Sequence, residues 1–243
     1  MSNKLKLFLG IAYLLILTIF LYFLFSKIEI NRLNDFIYYK ELQISISNFI
    51  GDSLYLNLFS FFLFSITWVI LLGFGSPLLI ISGMFFGKWL GFSVSLISIT
   101  IGTLILYIVA DFFFKNLIKS YLDHRFSKYI SLFKKNEFYY FFAFRFLGGL
   151  GIPFALQNTL PVIFNMKKSN YFFASFLGFV PHFFIWNTIG SGINNYIAES
   201  DKFSLLTFVL SKEIYIPLIS FFILILISLF LRNKIFFEKN KNE

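Results

Sequence analysis

The sequence predicts an all-α integral membrane protein, with about four transmembrane helices and two opposed re-entrant helical hairpins in an inverted repeat. Three observations lead there. Hydrophobic residues make up 58% of the 243 positions and charged ones only 14%, too apolar a balance for a water-solvated domain. Five windows, 7–26, 54–72, 89–114, 170–193 and 214–231, reach or approach the roughly 20 apolar residues that a bilayer core demands. Two breaks, GFGSP at 73–77 and GLGIP at 149–153, interrupt this apolar pattern. Runs such as FFILILISLFL lack the apolar–polar alternation of a membrane barrel strand, so the spans are helices.

The first window follows Lys4 and Lys6, as a signal peptide would. Its apolar core is too long and no small-residue cleavage site follows, so it is expected to stay as a span. Residues 27–50 form a polar external linker in which Ile30, Leu33, Ile37 and Ile44 recur at helical spacing, the pattern of a segment lying on the membrane. The window 54–72 runs into Gly73, Gly75 and Pro77, the tip of the first hairpin, and 89–114 is the span after it. Residues 117–133 carry an apolar stripe with Lys119, Arg125 and Lys128 between its members, and Lys134 and Lys135 follow, suiting anionic headgroups. The second hairpin, 137–166, has its tip at Gly149, Gly151 and Pro153, and 170–193 and 214–231 are the last two spans.

Charge sets the orientation. If both hairpins return to the side they came from, the amino terminus, residues 115–136, Lys167, Lys168 and the carboxyl tail share one side. That side holds 14 of the 21 Lys and Arg, whereas six lie opposite, so the positive-inside rule puts both termini in the cytoplasm. A shift of 76 positions lays GFGSP on GLGIP and Gly102 on Gly178. One full span separates the hairpins, so they enter from opposite faces and the repeat is inverted. The chain divides into 1–50, the first span and linker; 51–195, the core with both hairpins; and 196–243, the last span and basic tail.

Non-helical backbone inside a membrane must be buried in protein or line a wet cavity, because lipid offers its N–H and C=O groups no partner. Two opposed tips therefore suit a substrate site near the midplane, where helix amino termini after Pro77 and Pro153 favour an anionic group. Arg145 lies about eight residues into its hairpin, roughly 12 Å deep at the helical rise. Facing lipid there would cost at least about 2.5 kcal/mol, so it must face a polar cavity, a carboxylate or the tip's carbonyls. Gln157 and Asn158 either hydrogen-bond a substrate headgroup or satisfy carbonyls freed by Pro161. Asp111 and His182 are candidates for a proton relay; the plainer readings are a salt bridge from Asp111 to Lys115 one turn on, and an interior hydrogen-bonded histidine. Trp89 and Trp186 read as interface anchors.

With no cysteine and two histidines 58 positions apart, thiolate chemistry is excluded and neither a metal centre nor a cofactor is expected. There is no catalytic constellation, so the chain does not read as an enzyme. The net charge of +9 lies in short loops and reports topology and lipid contact, not nucleic acid.

Two stretches, GSPLLIISGMFFGKWLGF with the following Gly102 and Tyr107, and RFLGGLGIPFALQNTLPVIFNMKKSNYFFASFLGFVPHFFIWNTIG, resemble the VTT-domain branch of the DedA-like superfamily, the SNARE-associated Golgi protein family. The resemblance covers roughly residues 50–195 and implies facing re-entrant helices and lipid transport: flipping of a phospholipid or polyprenyl-phosphate carrier in a bacterial inner membrane, scrambling in organelles. Its implied partners are membrane lipids with anionic headgroups. The sequence departs from the DedA pattern in lacking acidic residues over 53–87, in having Arg145 as its single hairpin arginine, and in carrying Asp111 near a position where that pattern often has a basic residue. Those departures weaken the case for proton coupling. The alternatives to lipid translocation are a secondary transporter of small solutes or ions, and a structural membrane protein.

Overall fold

The computed structural model describes residues 3–26, 32, 35–72, 75–122, 133–200, 202 and 204–236, and among these the regular structure is helical. The helices are α1 (Asn3–Phe25), α2 (Phe36–Asp52), α3 (Leu54–Leu72), α4 (Ser76–Leu122), α5 (Glu137–Phe146), α6 (Phe154–Thr159), α7 (Lys168–Glu199), α8 (Leu205–Leu210) and α9 (Lys212–Phe236). Single 3-10 turns at Gly148–Gly151 and Leu160–Val162 flank α6. Among the described residues three helical stretches, Leu54–Leu71, Ser76–Phe113 (interrupted at Gly87) and Lys168–Glu199, are long and apolar enough to cross a membrane.

Gly87 divides α4 into a short arm, 76–86, and a long arm, 88–122. Its φ of 71° with ψ of 175° is non-helical and costs a glycine little. The chain folds back there, so that the Ser82 hydroxyl donates to the Gly91 carbonyl at 2.8 Å. Helix, break, short helix, turn and long helix thus follow one another twice, once over 54–122 and once over 137–199. The two versions differ in their first helix. Nothing interrupts the apolar run of α3, whose 19 residues reach about 28 Å, whereas α5 meets Gly148 and Gly149 after 10 residues, about 15 Å. The first helix of the first unit is therefore long enough to cross a bilayer by itself, and that of the second is about half that length.

Small residues let the helices approach. A β-carbon on Gly83 would fall on the Asn187 carbonyl, and one on Gly190 on the Ile80 carbonyl, so the short arm and α7 cross with backbones in contact. Gly102 meets the Ile66 carbonyl (3.3 Å) and Val69 (3.0 Å); Gly178 meets the Phe142 carbonyl (3.2 Å) and the Arg145 β-carbon. Each member of the second contact stands 76 positions after its counterpart in the first. Val69, Leu78, Leu79, Ile99, Phe179 and Phe183 join in a buried cluster where α3, both arms of α4 and α7 meet.

Ile37 and Ile44 of α2 are exposed, as a membrane-facing stripe requires, while Ile30 and Leu33 lie outside the described residues. Trp89 is exposed and packs on Phe184, with ring centroids 5.1 Å apart. Trp186 departs from the interface-anchor reading. It is half-buried against Phe221 of α9, because the face of α7 that carries Phe179, His182 and Phe183 is turned inward.

Gly83→Ala and Gly190→Ala are each expected to force the short arm and α7 apart and destabilise the protein by about 1–3 kcal/mol, as overpacking does. Gly51→Ala, with nothing within 4 Å of the added carbon, should be neutral or slightly stabilising. Thermal unfolding of the three variants in one detergent checks this ranking.

Candidate functional site

The Gly148–Gly151 turn exists because glycine accepts positive φ: Gly148, Gly149 and Gly151 stand at 70°, 71° and 82°. At Gly149 a side chain is excluded twice, since its β-carbon would also overlap the Gln157 amide. That amide holds the turn together, Gln157 Nε2 donating to the Ile152 carbonyl at 2.7 Å and reaching the Gly148 carbonyl at 3.5 Å. Pro153 then sets the chain extended before α6. Gln157 does satisfy freed carbonyls, but those of the glycine turn and not those around Pro161.

Arg145, in the last turn of α5, is 1% exposed. Its guanidinium donates to Gln157 Oε1 (3.2 Å), Asn158 Oδ1 (2.6 Å) and the Tyr171 hydroxyl (3.0 Å). Phe141 and Phe179 each present a ring face 4.7 Å from its central carbon, with Phe154 and Tyr171 at 5.7 Å. No carboxylate among the described residues forms an ion pair with it, and its Nε has no hydrogen-bond partner. Hydrogen bonds from a charged group stabilise by about 1.5–3 kcal/mol each, and a desolvated cation–π contact by up to about 2. Together they can hold the cation in place, but they leave its unit charge unneutralised. The site is a fixed positive charge in a low-dielectric interior, with Nε of Arg145 and Nδ2 of Asn158 as buried donors lacking acceptors.

Tyr171 is the member of this cluster that sequence reasoning missed. Its hydroxyl takes the Arg145 bond and shares its own proton between the Thr103 (3.2 Å) and Asn158 (3.3 Å) carbonyls. Its ring stacks on Tyr107 at 4.6 Å, and Tyr107 donates to the Met166 carbonyl at 2.7 Å. The signal was there: Tyr171 lies seven positions before Gly178, on the same stripe of α7. Glu137 supplies a further tie, its carboxylate accepting from the Lys167 backbone N–H (3.1 Å) and from Asn170 (2.6 Å), which joins the start of α5 to the start of α7.

A cavity of about 570 Å³ opens between the two breaks. The first break contributes Gly75 and Ser76, the second Gly148, Gly151 and Phe154, and Arg145 and Gln157 stand in its lining. A β-carbon on Gly75 would touch the Phe154 ring at 3.6 Å, so the two breaks pack on one another. The remaining wall is largely apolar, with Leu79, Phe179, Phe183, Trp186, Phe221 and Ile225 around His182. Asn158 is absent from the lining; it stands behind Arg145, fully buried, and orients it. Pro77 and Pro153 flank the lining residues, and Gly73 lies outside the described residues.

The two suggested relay residues are not gathered at one place. His182 lines the cavity, its Nδ1 without a hydrogen-bond partner and its ring edge-on to Phe221. Asp111, half-buried in α4, does not line it, and the side chain of Lys115 is outside the described residues. Asn187 forms a second buried polar knot, donating to Ser95 Oγ (3.1 Å) and to the Phe183 carbonyl (2.8 Å). No group of three His, Cys, Asp or Glu side chains that would suit a metal ion occurs among the described residues.

Among protein families, the VTT domain matches residues 69–192, more than half of the chain and the part that carries both breaks and the cavity's glycines. No curated protein and no solved structure matches it.

Tyr171→Phe keeps the stack on Tyr107 but removes the hydroxyl that receives Arg145 and bonds two carbonyls. It is expected to destabilise the protein by about 1–3 kcal/mol. A lowered unfolding midpoint with unchanged helical circular dichroism is the measurement.

Proposed function

The chain belongs to the VTT-domain family, and on that premise we propose that it translocates lipid across the bilayer, as a flippase or scramblase of a phospholipid or polyprenyl-phosphate carrier. The observation that carries this reading is the unneutralised Arg145 beside an otherwise apolar cavity between two breaks in the membrane-embedded chain. A volume of about 570 Å³ falls within the roughly 300–1,000 Å³ of small-molecule sites. A phosphate group there would meet a planar guanidinium and the amino-terminal end of the short arm at Gly75 and Ser76. Arg145 is the group that receives the headgroup, Gln157 shapes the turn beside it, and Asn158 holds the guanidinium from behind.

The same reading makes the two helix–break–helix units opposed re-entrant hairpins related by an axis in the membrane plane. The common offset of 76 in the Gly102 and Gly178 contacts supports the repeat, and its inversion is part of the proposal. Opposed units give a headgroup one shared station reachable in turn from either face, which is what lipid translocation needs. The proposed setting is a bacterial inner membrane with both termini cytoplasmic. Cysteines introduced at positions 130 and 205 should then label from opposite sides; labelling from one side overturns this topology. Transport of a small solute is the second reading, and the cavity's few polar groups beside many aromatic ones disfavour it.

Liposomes holding the purified protein, with headgroup-labelled phospholipid or polyprenyl phosphate and an external quencher, test the function. Accelerated loss of inner-leaflet fluorescence is the expected result; no acceleration alongside uptake of a soluble solute overturns it. Arg145→Lys keeps the charge and loses the fork, so partial activity is expected, whereas Arg145→Gln should lose nearly all. Tyr171→Phe supplies the control for stability. If it unfolds as readily as Arg145→Gln yet still flips lipid, the charge and not the fold explains the loss.

A further inference from the structure

Helix α9 is most deeply buried near its start. Ile214 is 2% exposed, packed with Ile185 and Ile189 of α7, and Gly192 lets the Glu213 carbonyl approach until an added β-carbon would stand 2.6 Å from it. Pro217 follows. With no N–H, it cannot bond that same Glu213 carbonyl, so the helix loses one of the bonds that resist bending immediately after its anchor. Beyond Pro217 the helix turns mostly outward, with Leu218, Ile219, Phe222, Ile223 and Leu226 all at least 43% exposed. Phe221 turns inward, edge-on to His182 (6.2 Å) and Trp186 (5.4 Å), and it and the more exposed Ile225 line the cavity that contains Arg145.

One side of the cavity is therefore lined by α9, anchored before a proline and bearing apolar side chains on both faces. We infer that the part of α9 beyond Pro217 is a hinged lateral wall, and that the slot between Trp186 of α7 and Phe221 of α9 admits an acyl chain. The inference rests on the lipid reading and gives it an entrance. A lipid whose phosphate sits by Arg145 must keep its chains in hydrocarbon, since withdrawing each methylene from an apolar medium costs about 0.8 kcal/mol. A closed wall forbids that arrangement, and an opening between two aromatic side chains permits it.

The chain has no cysteine, so a Trp186→Cys/Phe221→Cys pair can be bridged by a reducible bifunctional thiosulfonate reagent without background. Bridging should slow flipping of headgroup-labelled phospholipid about tenfold or more, as locking a lid does, and reduction should restore it. Each single-cysteine variant, whatever its own rate, should be slowed far less by the reagent. A cross-linked protein that flips as fast as its reduced form overturns the slot. The wall itself is read without substrate, from the pulsed-dipolar distance between spin labels at Ile193 and Ile227 in phospholipid nanodiscs. A moving wall gives two distances, and Pro217→Ala, which restores the missing bond, should collapse them towards one; a single narrow distance in the unaltered protein overturns the hinge. Two distances in a protein that flips no lipid would sink the lipid reading and the acyl chain with it, while leaving the hinge in place.

Discussion

The structure is organised around one buried cation that no carboxylate among the described residues neutralises. Arg145 is buried with no ion-paired carboxylate among the described residues, so its position must be enforced by groups that tolerate charge without cancelling it. Those groups come from distant parts of the chain: Gln157 and Asn158 from beyond the glycine turn, and Tyr171 and Phe179 from α7. Two of them are themselves committed elsewhere, Gln157 to the turn carbonyls, Tyr171 to Thr103 and to the Tyr107 stack. Displacing the guanidinium would therefore disturb the glycine turn, α4 and α7 together.

The second constraint is backbone proximity. Gly83 and Gly190 bring the short arm against α7, and Gly178 brings α7 against α5 at Arg145 itself. In lipid there is no hydrophobic force to press helices together, and close contact between small residues takes its place. This packing sets where the breaks meet and so where the cavity forms. The equal offset of the Gly102 and Gly178 contacts has a further consequence: Val69 occupies in the first unit the place that Arg145 occupies in the second. The two contacts are alike in backbone approach and differ in side chain, which leaves the buried guanidinium on one unit alone.

Much of this was legible in the residues. Apolar composition and unbroken windows determined a helical membrane protein, because a bilayer core accepts few other arrangements; G-x-G-x-P determined where the helices break, because glycine and proline act on the local backbone; and a lone deep arginine marked the site through the cost of burying it. The place of Asn158 behind the charge instead of in the cavity, and Trp186 as wall instead of anchor, were decided only by the fold. So were the contributions of Tyr171 and α9. Local signals fix where a helix starts, stops or breaks, since those choices depend on neighbours along the chain. Which side chains complete a guanidinium cage or close a cavity depends on how α5, α6, α7 and α9 cross, and the rotations and depths of those crossings are set by contacts between residues far apart in sequence.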